Sequence, residues 1–551
     1  MNLNETLTKR HSFAPLTSLV QRRLQLSPRV ATLAMPLLAT YLGLLVRFSY
    51  VVGGGFPMND GGLFMRMVRD IQDAGYALPY FTSYNGGNIP FAYPPLPFYF
   101  AAVLDHMGPW SLLDVMRFLP ALFSTLTIPA IYLLARRMLA SEFMAGIAAL
   151  AFAFLPRAFN WEIAGGGLTR APGLLFAVLT IHQAYIFYNE RTRGSAVLVP
   201  LLAALTVLCH LEMALLVAAT CAIFLVAYAR DRSMVIASAA MALAATVLTA
   251  PWWAVVLARH GADPLLSAAQ AGNHAWYSLL GIVIFRFAEE PLFPLLGAIG
   301  LLGLFVCLLE RRFLLPVWLL VLFVVDSRKA YTDAMLPLSM LIAIGVCSVI
   351  LPLASHMGAS LGERQESLRR DSRGKLMGAQ VLACSAILVF AFLGATLPLR
   401  DAKSPLHSLA PEQRQAMAWA AESTPTDSRF LVITGSVTPW TDNVSEWFPA
   451  LSLRQNLGTV QGHEWLGGGE YREQKQFYKD LQRCAQGPVS CLPLTGNGTT
   501  LVNYVYIVKQ EVWGSESDAD CCTGLIEALR AAPGFATVYE NEHAVIFEVT
   551  G

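Results

Sequence analysis

Long apolar runs recur through residue 398, and they leave this chain few ways to fold. They lie at roughly 30–50, 116–135, 142–156, 171–188, 195–209, 213–229, 234–250, 291–309, 313–325, 334–354 and 378–398. A helix needs about 20 apolar residues to cross a bilayer, so the pattern predicts an α-helical membrane protein with about eleven transmembrane helices, some of them short. Composition agrees: of 551 residues, 55% are hydrophobic and only 14% charged, which excludes an ordinary soluble fold. The formal net charge of +1 supplies no basic surplus for nucleic acid, and that class of partner is excluded.

The basic residues set the orientation. Residues 1–29 carry Lys9, Arg10, Arg22, Arg23 and Arg29 against a single acid, Glu5. The apolar run that follows starts too far from Met1 for a cleaved signal peptide and reads as a retained first span. Arg136 with Arg137, Arg191 with Arg193, Arg230 with Arg232, Arg311 with Arg312, and the group Arg364, Arg369, Arg370, Arg373 and Lys375 fall in alternate loops. By the positive-inside rule these loops and the amino terminus are cytoplasmic. The expectation is a multi-pass protein of the plasma membrane, spanning over 30–398. The registration works only if residues 93–107 do not cross, which predicts an interfacial or re-entrant helix there. The outer loops are then 53–115, 157–170, the turn 209–212, 251–290 and 326–333.

From residue 399 to 551 the composition is that of a soluble, extracytoplasmic α/β domain. Helices are predicted over 412–422 and 520–531, strands over 429–434 and 503–509, and a hairpin from 537–540 with 544–549. Cys484, Cys491, Cys521 and Cys522 all fall in this domain. Four cysteines in an exported domain predict two disulfides, with a zinc site as the competing use. Adjacent cysteines rarely bond each other, so cross-pairs of Cys521 and Cys522 with Cys484 and Cys491 are expected, a local Cys484–Cys491 bond being the alternative.

The most informative stretch is 57–104. Asp60 lies just past the first span, beside Gly61 and Gly62. An unpaired carboxylate near apolar surface holds its proton more tightly and can accept one from an attacking hydroxyl. The alternative is that Asp60 caps a helix starting near Gly62. Asn59-Asp60-Gly61-Gly62-Leu63-Phe64, a polar amphipathic helix, and then Ala92-Tyr93-Pro94-Pro95-Leu96-Pro97-Phe98-Tyr99 together resemble the first outer loop of the C-type (GT-C) membrane glycosyltransferases. These are the protein O-mannosyltransferase and aminoarabinose-transferase-like enzymes. Arg117, the span ending Leu134-Ala135-Arg136-Arg137, and the multi-span core with an outer carboxy-terminal domain extend the resemblance.

The resemblance implies a GT-C-like core, a glycosyltransferase activity and a polyprenyl-phosphate-linked sugar donor. The sugar passes to a hydroxyl of a protein, lipid or glycan acceptor at the outer face, with Asp60 as general base. It also implies that the x-Pro-Pro-Leu segment opens a juxtamembrane helix. Two departures stand out. Tyr93 occupies the place where related transferases often have Lys or His, and Thr169 and Arg170 stand where many have a second acid. A divalent metal between two carboxylates would need Glu162 as that second acid; otherwise the enzyme works without metal, and no other cofactor is implied.

Arg170, Arg328 and Lys329 sit in outer loops where cations can neutralise a departing lipid phosphate. Arg157 and Arg259 are further outer cations, although such residues often snorkel to membrane lipid headgroups. Tyr84, Asn85, Tyr93, His210 and Glu212 are the expected substrate-binding residues; a satisfied pair inside the helix bundle is the plainer reading of His210 and Glu212. Gly165, Gly166 and Gly167 lack the strand-before, helix-after setting of a nucleotide loop, which fits a lipid-linked donor. Residues 440–465, rich in Trp and polar groups, read as a lid over Tyr84, Asn85 and Tyr93, with Glu446, Arg454, His463 and Glu464 available to hydroxyls; an ordinary surface loop is the alternative. Two other classes compete with the enzyme. A transporter or flippase predicts inverted repeats, which the sequence does not display, and a non-catalytic scaffold predicts an Asp60 buried as a helix cap.

Overall fold

The computed structural model describes residues 28–271, 288–326, 329–363, 372–397, 406–496, 499–509 and 521–550. Lys9, Arg10, Arg22, Arg23, Arg328, Arg364, Arg369 and Arg370 lie outside the described residues.

Apolar composition makes the first part helical. The helices are α1 (Pro28–Val52), α2 (Gly62–Asp73), α3 (Leu96–Met107), α4 (Leu112–Leu139), α5 (Glu142–Phe154), α6 (Gly167–Glu190), α7 (Arg193–Cys209), α8 (Leu211–Tyr228), α9 (Arg232–His260), α10 (Asp263–Gln270), α11 (Leu295–Leu309), α12 (Leu314–Val325), α13 (Ala330–Met357) and α14 (Ser372–Thr396). Among the described residues seven helices are long and apolar enough to cross a membrane, in α1, α4, α6, α8, α9, α13 and α14; α5, α7, α11 and α12 are apolar but shorter. The architecture is that of a multi-span helical membrane protein. Side chains at the starts of several helices fix where each begins: Ser111, Ser141, Thr192 and Asp231 accept the backbone N–H three residues on, which replaces a lost intrahelical bond.

The segment after α1 holds two short helices. In α2 the residues Leu63, Phe64, Met67, Val68 and Ile71 recur at helical spacing and are buried, while Arg66 and Arg69 lie on the other face. Asp70 accepts from the Thr82 hydroxyl at 2.7 Å and the Ser83 amide at 3.0 Å, tying a small antiparallel pairing of Phe81–Thr82 with Ile89–Pro90 to this helix. The Pro94-Pro95 pair starts α3, where proline's fixed φ suits a first turn. With 12 residues, α3 is about 18 Å long and too short to span the roughly 30 Å of a bilayer's apolar core.

The carboxy-terminal part is α/β. It comprises α15 (Pro411–Ser423), β1 (Arg429–Ile433), α16 (Asn443–Ser452), β2 (Gln455–Asn456), α17 (Glu470–Arg483), β3 (Tyr504–Val508), α18 (Thr523–Ala531), β4 (Phe535–Glu540) and β5 (Ala544–Val549). The sheet order is β2-β1-β3-β5-β4, with β1 parallel to both β2 and β3 and the β5 pairings antiparallel. One sheet face packs on α17 and α18 through Leu431, Ile433, Val505, Leu481 and Leu525. The other joins a second core, in which Phe430, Trp447, Phe448 and Trp465 meet Phe56, Phe64, Met67 and Met116. The α/β domain and the segment after α1 therefore share one hydrophobic core.

The cysteines pair locally, which corrects the expected cross-pairing. Cys484 bonds Cys491 and Cys521 bonds Cys522. Short 3-10 turns at Cys484–Gln486 and Val489–Cys491 fold that loop back on itself, bringing its two Cα atoms to 5.7 Å. Each of these cysteines is thereby used, and the adjacent pair is left to itself. Cys209, Cys221, Cys307, Cys347 and Cys384 are free.

Candidate active site

Asp60 sits in a tight turn between α1 and α2 that Asn59 (φ 53°) and Gly61 (φ 129°) shape with positive φ. It does not cap α2: Gly61 holds the cap position, with no side-chain bond to the helix start from its own turn. The carboxylate points instead toward the start of α6. Its Oδ1 accepts the Gly166 N–H at 2.8 Å, and Arg170 Nη2 donates to Oδ2 at 2.9 Å and to Oδ1 at 3.2 Å. The expectation of an unpaired carboxylate is thus corrected. Asp60 and Arg170 form an ion pair with side chains 18% and 16% exposed, sheltered enough for charge-assisted bonds to count.

The triple glycine explains how the two segments meet. Gly165 N–H donates to the Met58 carbonyl at 2.8 Å. A Cβ at Gly165 would overlap the Asp60 carbonyl, and one at Gly166 would overlap the Asp60 carboxylate. The run is a cradle for an acid rather than for a phosphate. Sequence reading recognised the glycines but not this use.

Glu162, four residues before Gly166, is fully buried, and neither carboxylate oxygen has a hydrogen-bond partner. Burial pushes its carboxyl up, against the pull of Lys329, Arg170 and Arg157. Lys329 is buried and lies 3.8 Å from Glu212 Oε2. Arg47, a fully buried arginine within α1 that sequence reading passed over, also lies within electrostatic reach of Glu162. It donates to Ser124 Oγ at 2.8 Å and the Ala153 carbonyl at 3.0 Å and stacks over Phe159. A charge placed within an apolar span was the signal that could have found it.

Other expected cations are engaged elsewhere. Arg157 pairs with Glu289, and Arg259 lies over the Tyr80 ring while bonding the Leu78 and Pro79 carbonyls. The donor set does not suit a divalent ion. Asp60 is taken by Arg170 and Gly166, Glu162 faces cations, and among the described residues no group of three His, Cys, Asp or Glu converges.

The α/β domain covers the turn. Trp447 Nε1 donates to the Asn59 carbonyl at 2.8 Å, Asn59 Nδ2 to the Trp440 carbonyl at 2.9 Å, and the Asn59 N–H to the His407 carbonyl at 2.9 Å. Tyr84 and Asn85 are spent on this contact. The Tyr84 hydroxyl donates to the Glu446 carbonyl at 2.6 Å, and Asn85 exchanges two bonds with the Asn456 backbone. These docking bonds are made by two of the side chains expected to contact substrate. Arg454 is an internal strut bonded to Thr424 and the Ala421 carbonyl.

Tyr93 remains at the site. Its ring packs on Phe64 (4.9 Å), Trp465 (5.3 Å) and His210 (6.2 Å), and its hydroxyl lies 3.5 Å from Thr169 Oγ1. Burial pushes the phenol up, keeping it a neutral donor. Farther along the bundle, an apolar groove of about 670 Å³ is lined by α6–α9, from Tyr188 and Ser238 at one end to Trp252 and Trp253 at the other.

No protein family model matches the sequence, and no curated protein sequence does. Solved structures do match. The chain is similar to the archaeal oligosaccharyltransferase AglB from Archaeoglobus fulgidus, solved with an inhibitory peptide and a dolichol-phosphate, at 15% identity and a TM-score of 0.52 over 87% of this chain and 69% of that one. It is similar to ArnT from Cupriavidus metallidurans bound to undecaprenyl phosphate, at 15% identity and a TM-score of 0.51 over 93% and 97% of the two chains. The arabinofuranosyltransferase AftD from Mycobacteria matches at 16% identity and a TM-score of 0.52, over 96% of this chain and 42% of that one. With its multi-span helical bundle, the short helices after the first span and the carboxy-terminal α/β domain, this chain has the fold of the C-type membrane glycosyltransferases.

Proposed function

We propose that the chain is a glycosyltransferase of the plasma membrane that moves a sugar from a polyprenyl-phosphate donor to an acceptor hydroxyl. Residues 1–29 would face the cytoplasm, 30–398 form the membrane domain, and 399–551 lie outside. The observation that carries this reading is the Asp60 carboxylate, held by Gly166 N–H and Arg170 where the bundle, the first loop and the α/β domain meet. The scaffold reading expected Asp60 as the cap of α2, but Gly61 holds that position and the carboxylate turns to Gly166 and Arg170 instead.

In the transfer, the acceptor oxygen attacks the anomeric carbon and its proton passes to Asp60. The bond from that carbon to the phosphate oxygen breaks, and the polyprenyl phosphate leaves with the electron pair and inversion at the sugar. Arg170 moves from Asp60 toward the departing phosphate, which frees the base as charge develops. Lys329, and Arg328 beside it in sequence, add cationic charge for the same oxygens, with Glu162 within electrostatic reach of Lys329. Tyr93, His210 and Glu212 would line the sugar side. The apolar groove beside α8 and α9 suits a polyprenyl chain, and the dolichol-phosphate and undecaprenyl phosphate in the similar structures support a donor of this class. The test is reconstitution in vesicles containing a cell-envelope lipid extract, following free polyprenyl phosphate. Its release together with sugar appearing on an acceptor is expected; intact donors after long incubation would sink the reading.

A further inference from the structure

We propose that Glu446, supplied by α16 of the α/β domain, is a positioning residue for the transfer, completing the Asp60 turn only when that domain is docked; this rests on the reading of Asp60 as the base. Gly61 is the N-cap of α2, so its N–H lies outside the helix's own bonding and needs an acceptor from elsewhere. Here Glu446 Oε1 takes the Gly61 N–H at 2.9 Å, across 385 residues of sequence. Glu446 thus fixes the turn on one side of Asp60, while Gly166 and Arg170 hold the carboxylate on the other.

The approach is close on both sides. A Cβ at Gly62 would lie 2.7 Å from the Glu446 carbonyl and 3.2 Å from the Trp447 Cα, so only glycine lets α16 come this near. Tyr84 grips the Glu446 carbonyl from below, and Trp447 grips the Asn59 carbonyl. Undocking removes these bonds together. The base would then sit in a turn whose neighbouring N–H has lost its acceptor.

Charge makes the contact sensitive to pH. Glu446 is 5% exposed and faces Asp60 from the turn, Arg170 from α6, Glu464 from its own domain and the Tyr84 hydroxyl. Burial first, and the Asp60 charge second, push its carboxyl up to about 8. Undocked, it would titrate like an ordinary glutamate, near about 4.3. The docked state therefore binds the extra proton between these values. Docking is strongest at the acid end and weakens as pH rises toward about 8, then stays level.

The test is hydrogen–deuterium exchange of residues 57–66 in the full-length protein in nanodiscs, corrected for intrinsic rates, with no substrate needed. Glu446→Ala should speed exchange there at least tenfold, while Glu446→Gln, which keeps the oxygen acceptor, should stay protected. Wild-type protection should fall tenfold or more from pH 5 to 8, Glu446→Gln should show no such slope, and Asp60→Asn should move the wild-type midpoint to lower pH. Strand peptides of β1 and β3 report that the variants are folded. Unchanged exchange in Glu446→Ala, loss of protection in Glu446→Gln, or a flat wild-type pH profile would each overturn the proposal. Failure of Asp60 as the base would show instead as full transfer by Asp60→Asn, with the exchange results unaffected.

Discussion

Replacing Gly166 by alanine adds one methyl group where the account allows none. Gly166 has ordinary helical angles (φ −68°, ψ −11°), so the backbone accepts alanine and any effect is steric. The new Cβ would overlap the Asp60 carboxylate and lie 2.8 Å from Arg170 Nη2, so the carboxylate must move and the Gly166 N–H bond lengthens. Overpacking of this kind costs about 1–3 kcal/mol, and a hydrogen bond to a charged group contributes about 1.5–3 kcal/mol. If both apply in full the loss is about 2.5–6 kcal/mol, large against a typical stability of about 5–15 kcal/mol, so the melting temperature should drop clearly. Activity should fall further, because displacing a catalytic group by about 1 Å costs about a hundredfold. The assay pairs thermal unfolding in detergent with sugar transfer in vesicles, using Gly53→Ala as control because nothing lies within 4 Å of that site. Wild-type stability and transfer in Gly166→Ala would refute the cradle.

Glu162 is buried with a raised carboxyl pKa, so its ionisation opposes folding: its contribution is fully present below the ordinary carboxylate value and is lost as pH rises through the raised one. Melting temperatures across pH should show that downward slope in the wild type and a flatter profile in Glu162→Gln. Tyr84→Phe and Asn85→Ala each delete docking bonds and should loosen the α/β domain by about 1 kcal/mol apiece, without melting the bundle; faster proteolysis between the domains would register it, and unchanged cleavage would contradict it. Peptide mapping without reductant should recover Cys484 linked to Cys491 and Cys521 to Cys522; a peptide joining Cys484 or Cys491 to Cys521 or Cys522 would refute that pairing.

Local regularities were legible in the sequence. An amphipathic helix after Gly62 was read from the sequence, the resemblance placed a helix start at Pro94-Pro95, and the apolar strands β1 and β3 could be read within a residue or so of their bounds. The site was legible only in part, because its contacts bridge long separations. Arg170 lies 110 residues from Asp60 and Gly166 lies 106 away, so a paired carboxylate looked unpaired and a cradle looked like a failed nucleotide loop. Tyr84 and Asn85 looked open to a ligand because their partners belong to the other domain. Adjacent Cys521 and Cys522 defeated a rule of geometry that holds for most pairs, once the loop before them had closed on its own cysteines.

The central claim is that Asp60 takes the acceptor's proton. Asp60→Asn keeps the shape and an oxygen that can accept the Gly166 N–H, but removes the basic charge. The most direct measurement is transfer of radiolabelled sugar from a polyprenyl-phosphate donor in vesicles, with undecaprenyl phosphate binding and melting temperature followed on the same samples. The account predicts that transfer falls by at least about a hundredfold, as loss of a general base does, while binding and folding persist. Transfer at the wild-type rate by a folded Asp60→Asn protein would contradict it.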